Sequence, residues 1–258
     1  MENMRISKDT LNTMMKQVYL DCNGKESYEI ADGVFLAPSK ILPGSRIIDK
    51  MDPFFRVIVI MGKAYIMADE SILGGCEELF KDSKPEWFFN FDNLRRIDYI
   101  MHDYGREIVN THIYYLPAKG SAVEKEYGDE IWLDEKDIEN MRETNECHRA
   151  LCYSPTQPDV IAVMLKDGEK IKGMAGASLD GKYVRQIGID VKSGYEGQGI
   201  GVHLVKLLKQ KLLDQKTLPF YGTSESHAVS RTIAIRAGFM PAFSEFFVAP
   251  TKDILKPS

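Results

Sequence analysis

No apolar run in the 258 residues approaches the roughly 18 that a membrane-spanning helix requires. Nor does a secretory leader precede the first helical pattern, so a soluble, intracellular protein without a membrane partner is expected. Charge of one sign is also scarce: 33 Lys and Arg stand against 38 Asp and Glu, a formal net charge of −5. So mild an acidity argues against general nucleic-acid binding. The four cysteines, Cys22, Cys76, Cys147 and Cys152, fit neither a zinc spacing nor a secreted disulfide framework, and left as thiols they point to the cytosol. Cys147-His148 with Cys152 comes nearest to a metal cluster and reads as core thiols, so no metal is expected. The nucleotide-triphosphate loop G-x-x-x-x-G-K-[ST] is missing altogether. A dinucleotide fingerprint fails as well, because the third glycine position after Gly197 and Gly199 is Val202.

What the chain does have lies between residues 183 and 213. A strand pattern ends at Val191, a glycine-rich loop follows, and a helix opens near Gly199 with Ile200, Leu204, Leu207, Leu208 and Leu212 on one face. Glycines 197, 199 and 201 let the backbone approach a ligand closely, and the first-turn amides of a helix carry about half a positive charge. Those parts in that order make an anion site suited to a diphosphate.

The rest of the chain reads in simple units. A first helix starts at Ser7 with Leu11, Met14, Met15, Val18 and Tyr19 at helical spacing. Residues 22–52 are turn-rich and hold short strands at most, and 55–60 with 64–68 form a hairpin. A short helix is expected near 77–80, an aromatic cluster at Trp87, Phe88, Phe89 and Phe91 serving as core or a domain contact, a helix over 93–104, and a strand over 108–116. Pro117-Ala118-Lys119-Gly120-Ser121 and the charged run through Asp129-Glu130 read as a linker, dividing a smaller α/β domain at 1–118 from a second domain at 119–258. Beyond it come a helix over 138–150 and strands over 160–165, 171–179 and 183–191, joined by Asp167-Gly168 and Asp180-Gly181 turns and therefore antiparallel. The helix over 199–213 is a crossover, which returns the strand at 219–224 parallel to its predecessor. A helix over 227–237 and a strand over 242–248 close the fold. Lys206, Lys209, Lys211, Arg231 and Arg236 read as solvated helix faces, with Arg231 singled out for a phosphate contact.

The strand end Ile189-Asp190-Val191 and the loop Gly197-Gln198-Gly199-Ile200-Gly201 resemble the acyl-CoA loop of the GNAT acyltransferase superfamily. The later run from Ser226 through Ser230 to Gly238-Phe239 is similar to that family's second helix. Three positions depart from the family pattern: Glu196 stands where Arg or Gln is usual, His227 where Asn is common, and Ala234 where a tyrosine is usual. A bacterial subgroup of zwittermicin-resistance type is also similar, with an N-terminal extension of this size.

The resemblance implies an α/β (α+β) fold with a mixed, mostly antiparallel GNAT sheet and flanking helices. The N-terminal part is then a degenerate second half or a cover for the substrate site. It implies acetyl-CoA as co-substrate and a small-molecule or peptide amine as acceptor, with oligomeric state open between monomer and homodimer. Cofactor contacts fall to Ile189, Val191, Glu196, Gly197, Gln198, Gly199, Ile200, Gly201, His227, Ser230 and Arg231. The slot between the strands ending at Val191 and at Ser224 would hold the thioester. Glu225, His227 and Asp190 are candidate bases for the amine, with Tyr221 and Tyr195 as further acids. The competing expectation is a CoA-binding sensor or protein-interaction module that kept the fold and lost the chemistry.

Overall fold

The computed structural model describes residues 5–48, 53–120 and 129–251. In chain order the elements begin with β1 (Arg5–Ile6), α1 (Lys8–Asp21), β2 (Tyr28–Ala31), β3 (Val34–Pro38), β4 (Phe55–Ile60) and β5 (Lys63–Ala68). They continue with α2 (Leu73–Phe80), α3 (Phe91–His102), β6 (Arg106–Lys119), β7 (Ile131–Asp134), α4 (Glu135–Asn140) and β8 (Asp159–Asp167). The last are β9 (Lys170–Ser178), β10 (Val184–Val191), α5 (Ile200–Asp214), β11 (Leu218–Thr223), α6 (Ala228–Arg236) and β12 (Phe239–Pro250). This is a mixed α/β fold with a mostly antiparallel sheet, flanking helices and a β-rich N-terminal region. No helix among the described residues is long and apolar enough to cross a membrane.

Local chemistry explains most boundaries. Ser7 Oγ accepts the Thr10 N–H at 3.1 Å and caps α1, and a reciprocal Asp134/Asp137 capping box starts α4. The β4–β5 hairpin turns through Met61 and Gly62, at φ of 52° and 69°, the left-handed pair that a two-residue turn matching strand twist requires.

The chain divides into two compact units, residues 1–17 with 115–241 and residues 18–114 with 242–258. In the first, strands run in the order β11-β10-β9-β8-β7, with only β10 and β11 parallel. Side-chain direction alternates along a strand, so the two faces can be assigned. A Cβ placed on Gly173 of β9 would meet Ile200 and Leu204 of α5, whereas one on Gly176 would meet Ala150 and Leu151. Helix α5 therefore covers one face and residues 145–151 cross the other, above a core of Leu133, Ile138, Cys147, Leu151, Ala162 and Met174.

The second unit has the order β2-β3-β5-β4-β12. One face buries Val34, Phe55, Val57, Ile66 and Phe246 under Phe80, Ile97 and Met101 of the helices. The other buries four charges. Arg46 Nε and backbone N–H reach the Asp21 carboxylate at 2.5 and 2.7 Å, and Arg46 Nη2 reaches Glu245 at 2.8 Å. Arg56 Nε reaches Glu245 Oε1 at 2.6 Å. Burial alone would depress the Arg46 guanidinium; the Glu245 and Asp21 carboxylates overcome this and hold it well above its ordinary range.

Several expectations need correction. The helix over 138–150 stops at Asn140, because successive turns and the Asn145 side chain, which accepts the Cys147 N–H at 2.9 Å, carry the chain flat across the strands. Pro117–Lys119 is not a linker but the end of β6, where Ala118 and Lys119 pair with Ile6 and Arg5; residues 121–128 lie outside the described residues. Of the aromatic cluster only Phe88 is buried and Phe89 partly so, while Trp87 and Phe91 are exposed. Tyr19 is exposed as well, and α1 turns Gln17 inward in its place. Lys209 is buried, its Nζ capping the end of α6 through Ala237 O at 2.6 Å.

Candidate active site

The site grows out of β10 and the loop that follows it. Ile189 and Val191 face α5, and Gly201 in the first turn of α5 sits against both: a Cβ there would lie 3.2 Å from Val191 and 3.7 Å from Ile189. The missing side chain lets the helix start come down onto the strand end. Gly194, Gly197 and Gly199 hold φ of 88°, 75° and 84°, the left-handed region that side-chain-bearing residues rarely adopt. Gly199 is the N-cap of α5, and its carbonyl accepts the His203 N–H at 3.0 Å. The amides of the helix's first turn, ahead of His203, have no intrahelical acceptor and point out of the helix end.

Beside this turn the sheet opens. The β10–β11 pairing runs from Val184 opposite Leu218 to Ile187 opposite Tyr221 and goes no further, while β9 follows β10 to Val191 opposite Gly173. Lys192 donates its N–H to Lys172 O on the β9 side at 2.9 Å. Strand alternation then turns the N–H and C=O of Val191 and Ile189 to the other side, the edge that β11 has left. Among the described residues no strand takes up that edge. A cavity of about 320 Å³ adjoins it, walled by Val191, Gly197, Gly201, Val229, Ile233 and Arg236. A second, of about 380 Å³, flanks the α5 start near Gln198, His203, Lys206 and Arg236. His203 Nε2 meets the Glu130 carboxylate at 2.7 Å, tying α5 to the segment ahead of β7.

The site residues expected from sequence do not all converge. Glu196 lines the cavity wall, but its Oε2 turns back to accept the Gly194 N–H at 2.7 Å. Gln198 Nε2 donates to Gly194 O at 3.2 Å, bracing the same loop. Ser230 is buried with its Oγ 2.8 Å from the Tyr221 hydroxyl, and burial pushes that phenol above its usual range. Tyr195 lines the cavity while its hydroxyl donates to Asp167 Oδ2 at 3.1 Å. Glu225 and His227 are exposed in the turn after β11, and Arg231 Nη1 fixes that turn by donating to Glu225 O at 2.9 Å. Asp190 sits on the opposite face, where its Oδ2 accepts the Arg149 N–H at 2.7 Å.

Sequence reasoning brought this helix to the cofactor through His227, Ser230 and Arg231 and missed the face of α6 that lines the cavity. Ala228, Val229, Thr232, Ile233 and Arg236 recur at helical spacing and all line the cavity. Arg236, read as a solvated face, borders both cavities. The periodicity was present in the sequence, but nothing there said which face of α6 would turn to the glycine loop.

Residues 124–239 match the model of the Acetyltransferase (GNAT) family. Among solved structures, an acetyltransferase of the GNAT family from Colwellia psychrerythraea is similar at 12% identity and a TM-score of 0.45, with 95% of this chain and 98% of that one covered. A GCN5-related N-acetyltransferase-like protein from Streptococcus suis 89/1591 is similar at 15% identity and a TM-score of 0.46, covering 92% and 99%. No curated protein matches the chain significantly.

Proposed function

We propose that residues 124–239, which match the model of the Acetyltransferase (GNAT) family, act as an acetyltransferase domain that moves an acetyl group from acetyl-CoA to an amine by direct attack on the thioester. One observation carries the reading: an amide-rich helix start reached through left-handed glycines stands beside a strand edge whose N–H and C=O groups have lost their partner strand. The amides of residues 197–202 suit a diphosphate, and the open edge suits an amide-bearing arm that pairs like an added strand. Lys206 and Arg236, bordering the cavities, supply positive charge for further phosphate.

Acetyl-CoA, when bound, supplies the activated acyl group and a thiolate that leaves readily. The chain supplies the rest. The Val191 N–H, aimed into the open edge, donates to the thioester oxygen as charge builds on it, an effect typically worth about 3 kcal/mol. The attacking amine must first lose a proton. Glu225 and His227, exposed at the end of the parallel strand, are the groups we assign to that step, directly or through water. The test is CoA release from acetyl-CoA against a panel of amines. Turnover that falls when Glu225 and His227 are replaced together supports the assignment, and undiminished turnover removes it. Saturable acetyl-CoA binding without turnover on any amine would favour the sensor reading instead.

Glu196 makes a separate prediction. A carboxylate beside a bound diphosphate is repulsive, yet its hydrogen bond to Gly194 needs only a neutral acceptor. Glu196→Gln should therefore keep the loop and tighten acetyl-CoA binding roughly three- to tenfold at low salt, the gain shrinking as salt rises. Calorimetric titration at two salt concentrations checks this, and weaker binding would mean the carboxylate helps hold the ligand.

A further inference from the structure

Residues 145–151 form a strap across the sheet face opposite α5, and three kinds of contact hold it there. The Asp190 carboxylate accepts the Arg149 N–H at 2.7 Å. Lys192 Nζ donates to Glu146 O at 2.7 Å and lies 3.3 Å from the Glu146 carboxylate. The strands beneath carry glycine where the strap touches them: a Cβ on Gly188 would sit 2.2 Å from Arg149 O, and one on Gly176 2.3 Å from Ala150 O. Only glycine admits backbone at that distance.

The place of contact matters more than the contact. Gly188 directly follows Ile187, the last residue of β10 that pairs with β11. Asp190 lies between Ile189 and Val191, whose N–H and C=O groups line the open edge. Helix α5 covers one side of those rungs and the strap backs the other, so a ligand laid along the edge is shielded from the face that α5 leaves bare.

We propose that Asp190 is a positioning residue, which fixes this strap behind the open edge and takes no proton from the acceptor; the inference rests on the reading of the slot as a thioester site. A latch and a base make opposite demands on this side chain. Accepting the Arg149 N–H requires an oxygen and no charge, which an amide provides. Abstracting a proton requires the carboxylate itself.

Three variants separate the two. Asp190→Asn retains the acceptor, Asp190→Ala removes it, and Gly188→Ala leaves it intact but drives a methyl group into the strap. Each is compared with the wild type in hydrogen exchange at the Arg149 amide, in acetyl-CoA affinity by calorimetry, and in CoA release across pH. The acceptor is an amine from the panel, or water where no amine reacts. Asp190→Asn is expected to match the wild type in exchange, turnover and pH profile. Asp190→Ala and Gly188→Ala are expected to exchange Arg149 at least about tenfold faster and to lose turnover in parallel, with acetyl-CoA affinity little changed. The proposal is overturned if Asp190→Asn is as impaired as Asp190→Ala, or if Asp190→Ala leaves exchange and turnover alone. A wild type that does not bind acetyl-CoA defeats the reading of the slot, while the exchange measurement still decides the latch.

Discussion

Glu245→Gln is expected to lower the stability of the fold by about 3–5 kcal/mol, a large part of the roughly 5–15 kcal/mol that a domain possesses. Glu245 is 2% exposed and bridges two arginines that are themselves buried, Arg46 at 2.8 Å and Arg56 at 2.6 Å. Glutamine fits the same space but keeps only one of the two acceptor oxygens, so its amide nitrogen faces one of the arginines as a second donor. It leaves Asp21 as the only carboxylate in the network described above, with two guanidinium groups to balance, and an uncompensated charge in the interior is what makes such losses severe. The remedy follows from the same physics. Combining Arg56→Leu with Glu245→Leu removes one charge of each sign and should recover most of the loss. Urea unfolding of Arg56→Leu, Glu245→Leu and the double variant provides the cycle. Additive losses would show that these charges do not act as a unit.

Alanine at both Gly197 and Gly199 should abolish most of the acetyl-CoA affinity while leaving the protein folded. A Cβ at either position meets nothing within 4 Å, so no clash is created. The cost is conformational: left-handed backbone disfavours a side chain by about 1–2 kcal/mol per residue. An exposed loop relaxes to escape that cost and must return to bind, so the dissociation constant is expected to rise roughly 30- to 900-fold. Gly62, at φ of 69° in the β4–β5 turn and equally free of neighbours, provides the control. Gly62→Ala carries the same strain and should leave affinity unchanged. Equal affinity in the loop variant and the wild type would mean that the loop does not shape itself around the ligand.

The glycine loop was legible because its signal is local. Gly197-Gln198-Gly199-Ile200-Gly201 directly follows a strand and opens an apolar-striped helix, and few backbone geometries satisfy that order. The hairpins were legible for the same reason, since turn residues act on their immediate neighbours. Features that depend on distant partners were not. Lys209 looked like one more solvated lysine until the end of α6, 28 residues later, placed Ala237 O against it. Gly176 and Gly188 flag close approach to a strand without saying that residues 149–150 make it. The four buried charges are drawn from residues 21, 46, 56 and 245, each unremarked in its own surroundings. Glu196 showed the limit most clearly: its residue type warned of repulsion, but only the fold shows the carboxylate turned back to Gly194.

Residue-resolved hydrogen exchange with and without acetyl-CoA tests the site most directly. The expected result is protection on binding at the amides of residues 197–202 together with Ile189 and Val191, and little change at Lys192, whose N–H is already bonded to β9. Protection confined to other segments, or a ligand that leaves both the helix start and the open strand edge exchanging as before, would contradict it.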